Sequence, residues 1–220
     1  MVGRLASALV DLPRGEAPLH VRLACAWGCE DQGDLLRRAL VLLADQELTS
    51  SAFAARVTAS TGASLGAAAL SGLATLSGPL HGDAPVRVQA LLEDAQRDGA
   101  EAGVQRWLRA GLTLPGFGHQ LYPGGDPRAA DLLGAFTPAV TTRALVETVF
   151  GLTGLQPTVD VALAALAEHC RLPAGGAFVL FAVGRSIGWM AHAIEQVMSG
   201  SLLRPRTRYV GPQVVGDRQT

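Results

Sequence analysis

The chain has 220 residues, a formal net charge of -1, 49% hydrophobic residues and only 5% aromatic ones. That length buries a substantial core, as one large domain or two small ones. All 18 basic residues are arginine, and the near-neutral balance argues against a bulk nucleic-acid partner, which requires a basic face. Cys25, Cys29 and Cys170 form no second C-x3-C pair. They read as free buried thiols in a reducing compartment, with no metal site expected. Met1–Val10 lacks a long apolar stretch and a cleavage signal, so a cytoplasmic protein is expected.

Strand signals are nearly absent, and Ala and Leu recur at helical spacing throughout, so the reading is all-α. "DLPRGEAP" (Asp11–Pro18) reads as a loop, followed by a short apolar helix around Leu19–Trp27. Leu35–Ala44 is the next helix, with Arg37 and Arg38 on its wet side. Ser51–Leu76 reads as one long or broken helix interrupted at Gly62. Val57–Leu80 carries no charge over a length that spans a bilayer. It is mostly Ala, Ser, Gly and Thr, which insert poorly, so it reads as a buried helix or helix pair and no membrane partner is expected. Helices are then expected over Ala84–Asp98, Gly99–Arg109, Ala129–Phe136, Thr142–Gly151, Val159–Cys170 and Gly176–Met198. The tail from Leu203 reads as extended.

Three motifs stand at turn-to-helix junctions. "LSGPLHGDAP" (Leu76–Pro85) sets His81 between Pro79 and Gly82, where a helix N-terminus disfavours the imidazolium and leaves a neutral hydrogen-bond donor. "PGFGHQLYPGGDPRAADLL" (Pro115–Leu133) carries His119 and Arg128 in dense turn chemistry, the kind of loop that fixes polar groups for binding. "LQPTVDVALAAL" (Leu155–Leu166) puts Asp160 at a helix start, where its carboxylate either caps the helix or acts as a base. A fourth segment, "FAVGRSIGWMAHAIEQ", places Arg185 inside an otherwise apolar helix, which is costly without an anionic partner. Two histidines, a carboxylate and a deep arginine suit proton abstraction beside a carbonyl and the binding of a dianionic acid. Taken singly, each residue has a structural explanation.

"SGPLHG", "PGFGHQLYPGGDPRA", Val159-Asp160, "GRSIGWMAHAIEQ" and "RPRTRYVGP", in this order and at this spacing, resemble the successive signature segments of the citrate synthase family over about Leu35–Pro212. The resemblance implies an all-α fold with a cleft between a large domain, residues 1–83 and 171–220, and a small one, residues 84–170. It implies condensation of acetyl-CoA, a co-substrate rather than a bound cofactor, with oxaloacetate or a related 2-oxo acid. By the same resemblance His81 polarises the thioester carbonyl, Asp160 takes the methyl proton, and His119 holds the ketone oxygen of the acceptor. Arg128 and Arg185 hold the acceptor carboxylates, and Arg204 matches an arginine supplied by a neighbouring subunit. Leu80, Leu114, Pro115, Gly116, Phe117, Gly118 and Thr158 line the CoA site, largely through backbone groups.

The chain departs from the family pattern at "ADQELT" (Ala44–Thr49). The family commonly has histidine where this chain has Gln46 and asparagine where it has Thr49, while Ser51 keeps the serine position. Glutamine donates from its amide but takes no proton, so weaker use of oxaloacetate is expected. Thr158 replaces the asparagine that precedes the aspartate. Only 34 residues precede the Leu35 segment, far fewer than is usual in the family. The expectations are a reduced homologue working as a homodimer, a partner chain supplying the remainder, or a truncated product. The alternative function is a degenerate paralogue or subunit that binds CoA or a partner without turnover.

Overall fold

The structure is a computed structural model that describes residues 2–12, 15–82, 84–208 and 210–211. Asp83, Tyr209 and Pro212, which belong to matched segments, lie outside the described residues. About 66% of the chain is helical. The described residues contain α1 (Val2–Leu9), α2 (Leu19–Trp27), α3 (Gly33–Leu43), α4 (Ser50–Ser60), α5 (Leu65–Leu76), α6 (Ala84–Asp98), α7 (Ala100–Arg109), α8 (Pro127–Leu133), α9 (Val140–Thr153), α10 (Val159–His169) and α11 (Gly176–Ser199). No strand occurs among them, only an isolated antiparallel bridge between Phe117 and Pro157.

The all-α expectation is met, and boundaries fall where local chemistry puts them. The uncharged 57–80 stretch is a pair of helices, α4 and α5, broken where Gly62 takes φ 81°. Thr49 caps α4 and Ser64 caps α5, each accepting a backbone N–H three residues on. Helix α1, which the sequence reading left unassigned, covers part of the segment screened for a leader. The only described helix long and apolar enough to cross a membrane is α11, and most of its apolar window is buried inside the protein. One thiol differs from expectation: Cys29 and Cys170 are buried, but Cys25 is exposed, because it sits on the wet side of α2 beside the buried Leu23 and Ala24.

Apolar side chains gather in two clusters. The larger joins α1 to α5 and α11 with α8, through Ala129 and Leu132, and with one face of α10, through Val159, Ala162, Leu163 and Leu166. The smaller joins α6, α7 and α9 with Leu114, Phe117 and the other face of α10, through Val161 and Ala164. Within the 84–170 stretch, then, α6, α7 and α9 share a core of their own, whereas α8 packs on the larger one. Helix α10 is apolar nearly all round because it is a wall common to both clusters.

Helix α11 crosses α3 closely. Arg185 Nε donates to the Leu43 carbonyl at 2.8 Å and the Gly188 N–H donates to the Ala44 carbonyl at 2.8 Å. These contacts satisfy carbonyls that a helix C-terminus leaves open, and they fix the chain as it enters Gln46. Trp189, fully buried, lies against α5 at Gly72, where an added Cβ would come within 2.7 Å of the indole.

Candidate active site

A cavity of about 240 Å³ lies where α10, α11, the 44–51 turn and the 78–82 and 116–128 loops converge. Gln46, His81, His119, Arg128, Asp160 and Arg185 all line it, so six residues expected from five sequence segments meet at one cavity. A wider opening of about 540 Å³ shares Gln46, Leu80, His81, Gly118 and His119 with the cavity and leads outward past Thr49 and Leu121.

His81 sits in the turn after α5, with its Nε2 2.8 Å from Ser51 Oγ. The Ser51 oxygen already accepts the Trp189 indole N–H at 3.0 Å. Its hydroxyl proton is therefore free to point at His81 Nε2, which places the ring proton on Nδ1. Burial, and then the Arg185 charge, hold the His81 pKa below its ordinary value. The ring is neutral at pH 7 and offers one N–H. A helix N-terminus alone would favour this neutrality; here burial and a neighbouring guanidinium enforce it.

Asp160 opens α10, but it does not cap the helix. Thr158 does, accepting the Asp160 N–H at 3.3 Å and donating its own hydroxyl to Asp160 Oδ2 at 2.9 Å. The carboxylate is thus held at one oxygen and released from capping. Burial raises the Asp160 pKa, with Asp126 adding to the rise, while Thr158 and Arg128 oppose it. A carboxylate with its pKa raised this way is a stronger base once ionised.

Arg185 is 0% exposed, and its Nη1 and Nη2 have no protein partner. Its planar face lies over the Phe181 ring, 5.0 Å from the centroid. Burial, and then Arg128, lower its pKa to about 10, so it remains charged at pH 7. Arg128 is different. Asp126 binds its Nε at 2.9 Å and its Nη2 at 2.8 Å, and its Nη1 donates to Gln46 Oε1 at 2.6 Å. The sequence reading gave the two arginines one role, yet here only Arg185 presents an unused fork.

Asp126 escaped the sequence reading. Its signal was the Asp-Pro-Arg at the start of α8, where aspartate caps a helix that has proline in its first turn. The carboxylate accepts the Arg128 N–H at 3.0 Å and the Val159 N–H at 2.9 Å as well as the guanidinium. Burial opposes its ionisation, but Arg128 and the two backbone donors prevail and lower its pKa.

His119 accepts the Leu121 N–H at Nδ1, 3.1 Å away, so its Nε2 carries the proton toward the cavity. Thr158, Gly116 and Gly118 line the cavity as well. Gly116 takes φ 78°, and a Cβ there would strike Val88 and Val161 at 2.5 and 2.7 Å. Its carbonyl accepts the Thr158 N–H at 2.8 Å, and the Gly118 N–H donates to the Gln156 carbonyl at 2.9 Å. The 116–118 loop is thereby laced to the approach of α10. Leu114, Pro115 and Phe117 are buried beneath this loop and line neither opening. Leu80 is 94% exposed at the mouth. Arg204 is exposed in the extended tail and does not line this cavity. No cluster of His, Cys, Asp and Glu suited to a metal occurs among the described residues.

The sequence profile of the citrate synthase C-terminal domain matches residues 10–206. The chain belongs to the citrate synthase family. It is 37% identical over 188 residues to the citrate synthase of Haloferax volcanii, an alignment covering 79% of this chain and 49% of that one. The crystal structure of citrate synthase from Thermotoga maritima superposes with a TM-score of 0.81 at 32% identity, covering 98% of this chain and 65% of that chain. Citrate synthase from Thermoplasma acidophilum, in a ternary complex with carboxymethyl coenzyme A and oxaloacetate, superposes with a TM-score of 0.78 at 29% identity, covering 98% of this chain and 66% of that chain. The chain spans about half the length of the curated citrate synthases it matches.

Proposed function

We propose that the protein condenses acetyl-CoA with a 2-oxo acid, in the manner of a citrate synthase, to give a hydroxy-carboxylate and CoA. One observation carries this reading. The buried Arg185 fork has two unpartnered nitrogens facing a cavity that also holds His81, His119 and Asp160. A buried guanidinium left half-satisfied calls for an anion, and a carboxylate is the anion that fits a planar fork.

The chemistry follows from the groups present. The thioester enters through the wider opening, with its methyl group toward Asp160 and its carbonyl toward His81 Nδ1. Asp160 removes a methyl proton, and the electron pair moves onto the carbonyl oxygen, which His81 stabilises by its N–H. The resulting enol carbon attacks C2 of the 2-oxo acid. The ketone π pair becomes an alkoxide, which takes the His119 Nε2 proton. Water then hydrolyses the thioester and releases CoA. Leu80, Gly116, Gly118 and Thr158 flank the CoA side, with Leu114, Pro115 and Phe117 supporting the loop from below.

A second copy of the chain completes the proposal. Arg204 is exposed and does not line this chain's own cavity, and exposed Phe53, Leu70, Ile194, Val197 and Met198 lie on α4, α5 and α11. Apolar side chains exposed on neighbouring helices suit a symmetric interface. The free thiols fit a cytoplasmic setting.

The test is CoA release from acetyl-CoA, followed as free thiol, against a panel of 2-oxo acids, with light scattering on the same sample. Acceptor-dependent release by a dimer is expected. Acetyl-CoA binding without release for any acceptor would instead support a non-catalytic paralogue.

A further inference from the structure

Trp189 is fully buried on α11, and its indole lies in the notch left by Gly72 on α5, where an added Cβ would come within 2.7 Å of the ring. That close seat lets the indole Nε1 donate to Ser51 Oγ on α4 at 3.0 Å. Ser51 is fully buried as well. Its oxygen has one hydrogen and two lone pairs. Two groups besides the indole reach it, His81 Nε2 at 2.8 Å and Thr49 Oγ1 at 3.4 Å. Only the first distance suits a well-formed hydrogen bond. Thr49 Oγ1 is also engaged by the Ala52 N–H at the start of α4. Among the described residues, His81 Nδ1 has no protein partner.

From this arrangement we infer that Trp189 is a positioning residue: its indole N–H, acting through Ser51, sets the tautomer of His81 and so aims the one N–H of that ring at the thioester oxygen. An indole N–H only donates, so it fills one lone pair of Ser51 whichever tautomer His81 adopts. If His81 Nε2 also carried a hydrogen, it would fill the second lone pair, and the Ser51 proton would be left with Thr49 at 3.4 Å. If Nε2 is bare, the Ser51 proton takes it at 2.8 Å. A hydroxyl that accepts one hydrogen bond donates a stronger one, so the indole favours the second arrangement. Without the indole, the vacant lone pair of a buried oxygen draws the His81 proton to Nε2, and Nδ1 turns from donor to acceptor. The acyl oxygen, which gains negative charge as the methyl proton leaves, then faces a lone pair instead of an N–H. This inference rests on the condensing reading above and adds to it a residue that touches no substrate.

The experiment replaces Trp189 in the full chain by benzothienylalanine, an isostere with sulfur where the indole has its N–H, so that the ring still fills the Gly72 notch. NMR of isotopically labelled histidine ring nitrogens reads the tautomer, and His81 is picked out from the five histidines by its absence in His81→Asn. The wild type should show a protonated Nδ1 and a bare Nε2 on His81. In the isostere the ratio of Nε2- to Nδ1-protonated forms should rise about two- to tenfold. The kcat for CoA release should fall in step with the Nδ1-protonated fraction, while KM for the acceptor stays the same. Trp189→Phe, which also lacks the N–H, should repeat the shift. With Ser51→Ala in the same chain, the isostere should change neither reading, because the indole then has no route to His81. An unchanged tautomer ratio in both Trp189 variants would reduce Trp189 to packing and overturn the inference, and so would a changed ratio with an unchanged kcat. A wild type that releases no CoA with any acceptor, yet shows the tautomer shift, would overturn the condensing reading and leave the link from Trp189 to His81 standing.

Discussion

Asp126 grips the Arg128 fork at both ends, Nε at 2.9 Å and Nη2 at 2.8 Å, and its Oδ2 also accepts the Val159 N–H one residue before Asp160. One carboxylate thus sets the arginine and the start of the helix that carries the base. Asp126→Asn should destabilise the protein by about 3 kcal/mol, because it leaves a buried guanidinium without its counter-charge. Urea unfolding at pH 7 checks this. The Asp126 pKa is lowered in the fold, so its contribution is complete above the ordinary carboxylate value of about 3.9. It is lost as pH falls through the lowered folded value. The gap between wild type and Asp126→Asn should close on that acid side.

Asp160→Asn should abolish condensation while CoA binding changes little, since the base acts in the transition state. Thr158 still caps α10 in this variant, so the helix should remain. Single-turnover kinetics and calorimetry with CoA separate the two effects. An equal loss of affinity and rate would mark Asp160 as structural.

The pH profile should show one dominant acid limb. Asp160 must be ionised and its pKa is raised by burial; His81 must be neutral and its pKa is lowered. Both groups reach the working form as pH rises. The limb is set by whichever of the two transitions lies higher, the raised Asp160 or the lowered His81. The pH dependence of kcat/KM is the measurement, with Thr158→Val as a second arm. Removing the Thr158 hydroxyl takes away a contact that favours the ionised form, so the Asp160 transition should move to higher pH, and a limb that moves with it is assigned to Asp160.

Arg185→Met should leave the fold as stable as the wild type, or more so, while removing acceptor binding. Two guanidinium nitrogens are buried without partners, and a flexible apolar side chain of similar length meets no such penalty. The lost Nε contact to Leu43 costs about 1 kcal/mol in the other direction. Thermal unfolding with and without a 2-oxo acid shows both effects: the variant should melt no lower than the wild type and should gain nothing from ligand.

Helices, loops and most of the site were legible because their signals are local. Ala84–Asp98 alternates apolar and charged positions at helical period and is α6 residue for residue. His81, His119, Asp160 and Arg185 each stood out by residue type against their own segment. What the sequence hid was pairwise. Nothing in "GGDPRA" says that Asp126 consumes the Arg128 fork, and nothing near Ser51 points to Trp189, 138 positions away. The sharing of α10 between two cores was hidden for the same reason, since an all-round apolar helix does not name its neighbours.

Helix α10 is buried along Val159 and Val161–Leu166 and is walled by two clusters. Its amides can exchange with solvent only when one of those clusters opens. Hydrogen exchange should therefore rank the α10 amides among the slowest in the chain, even if the 116–128 loop beside them exchanges quickly. The base would then stand on the most rigid part of the protein, while substrates enter and leave across its more mobile part.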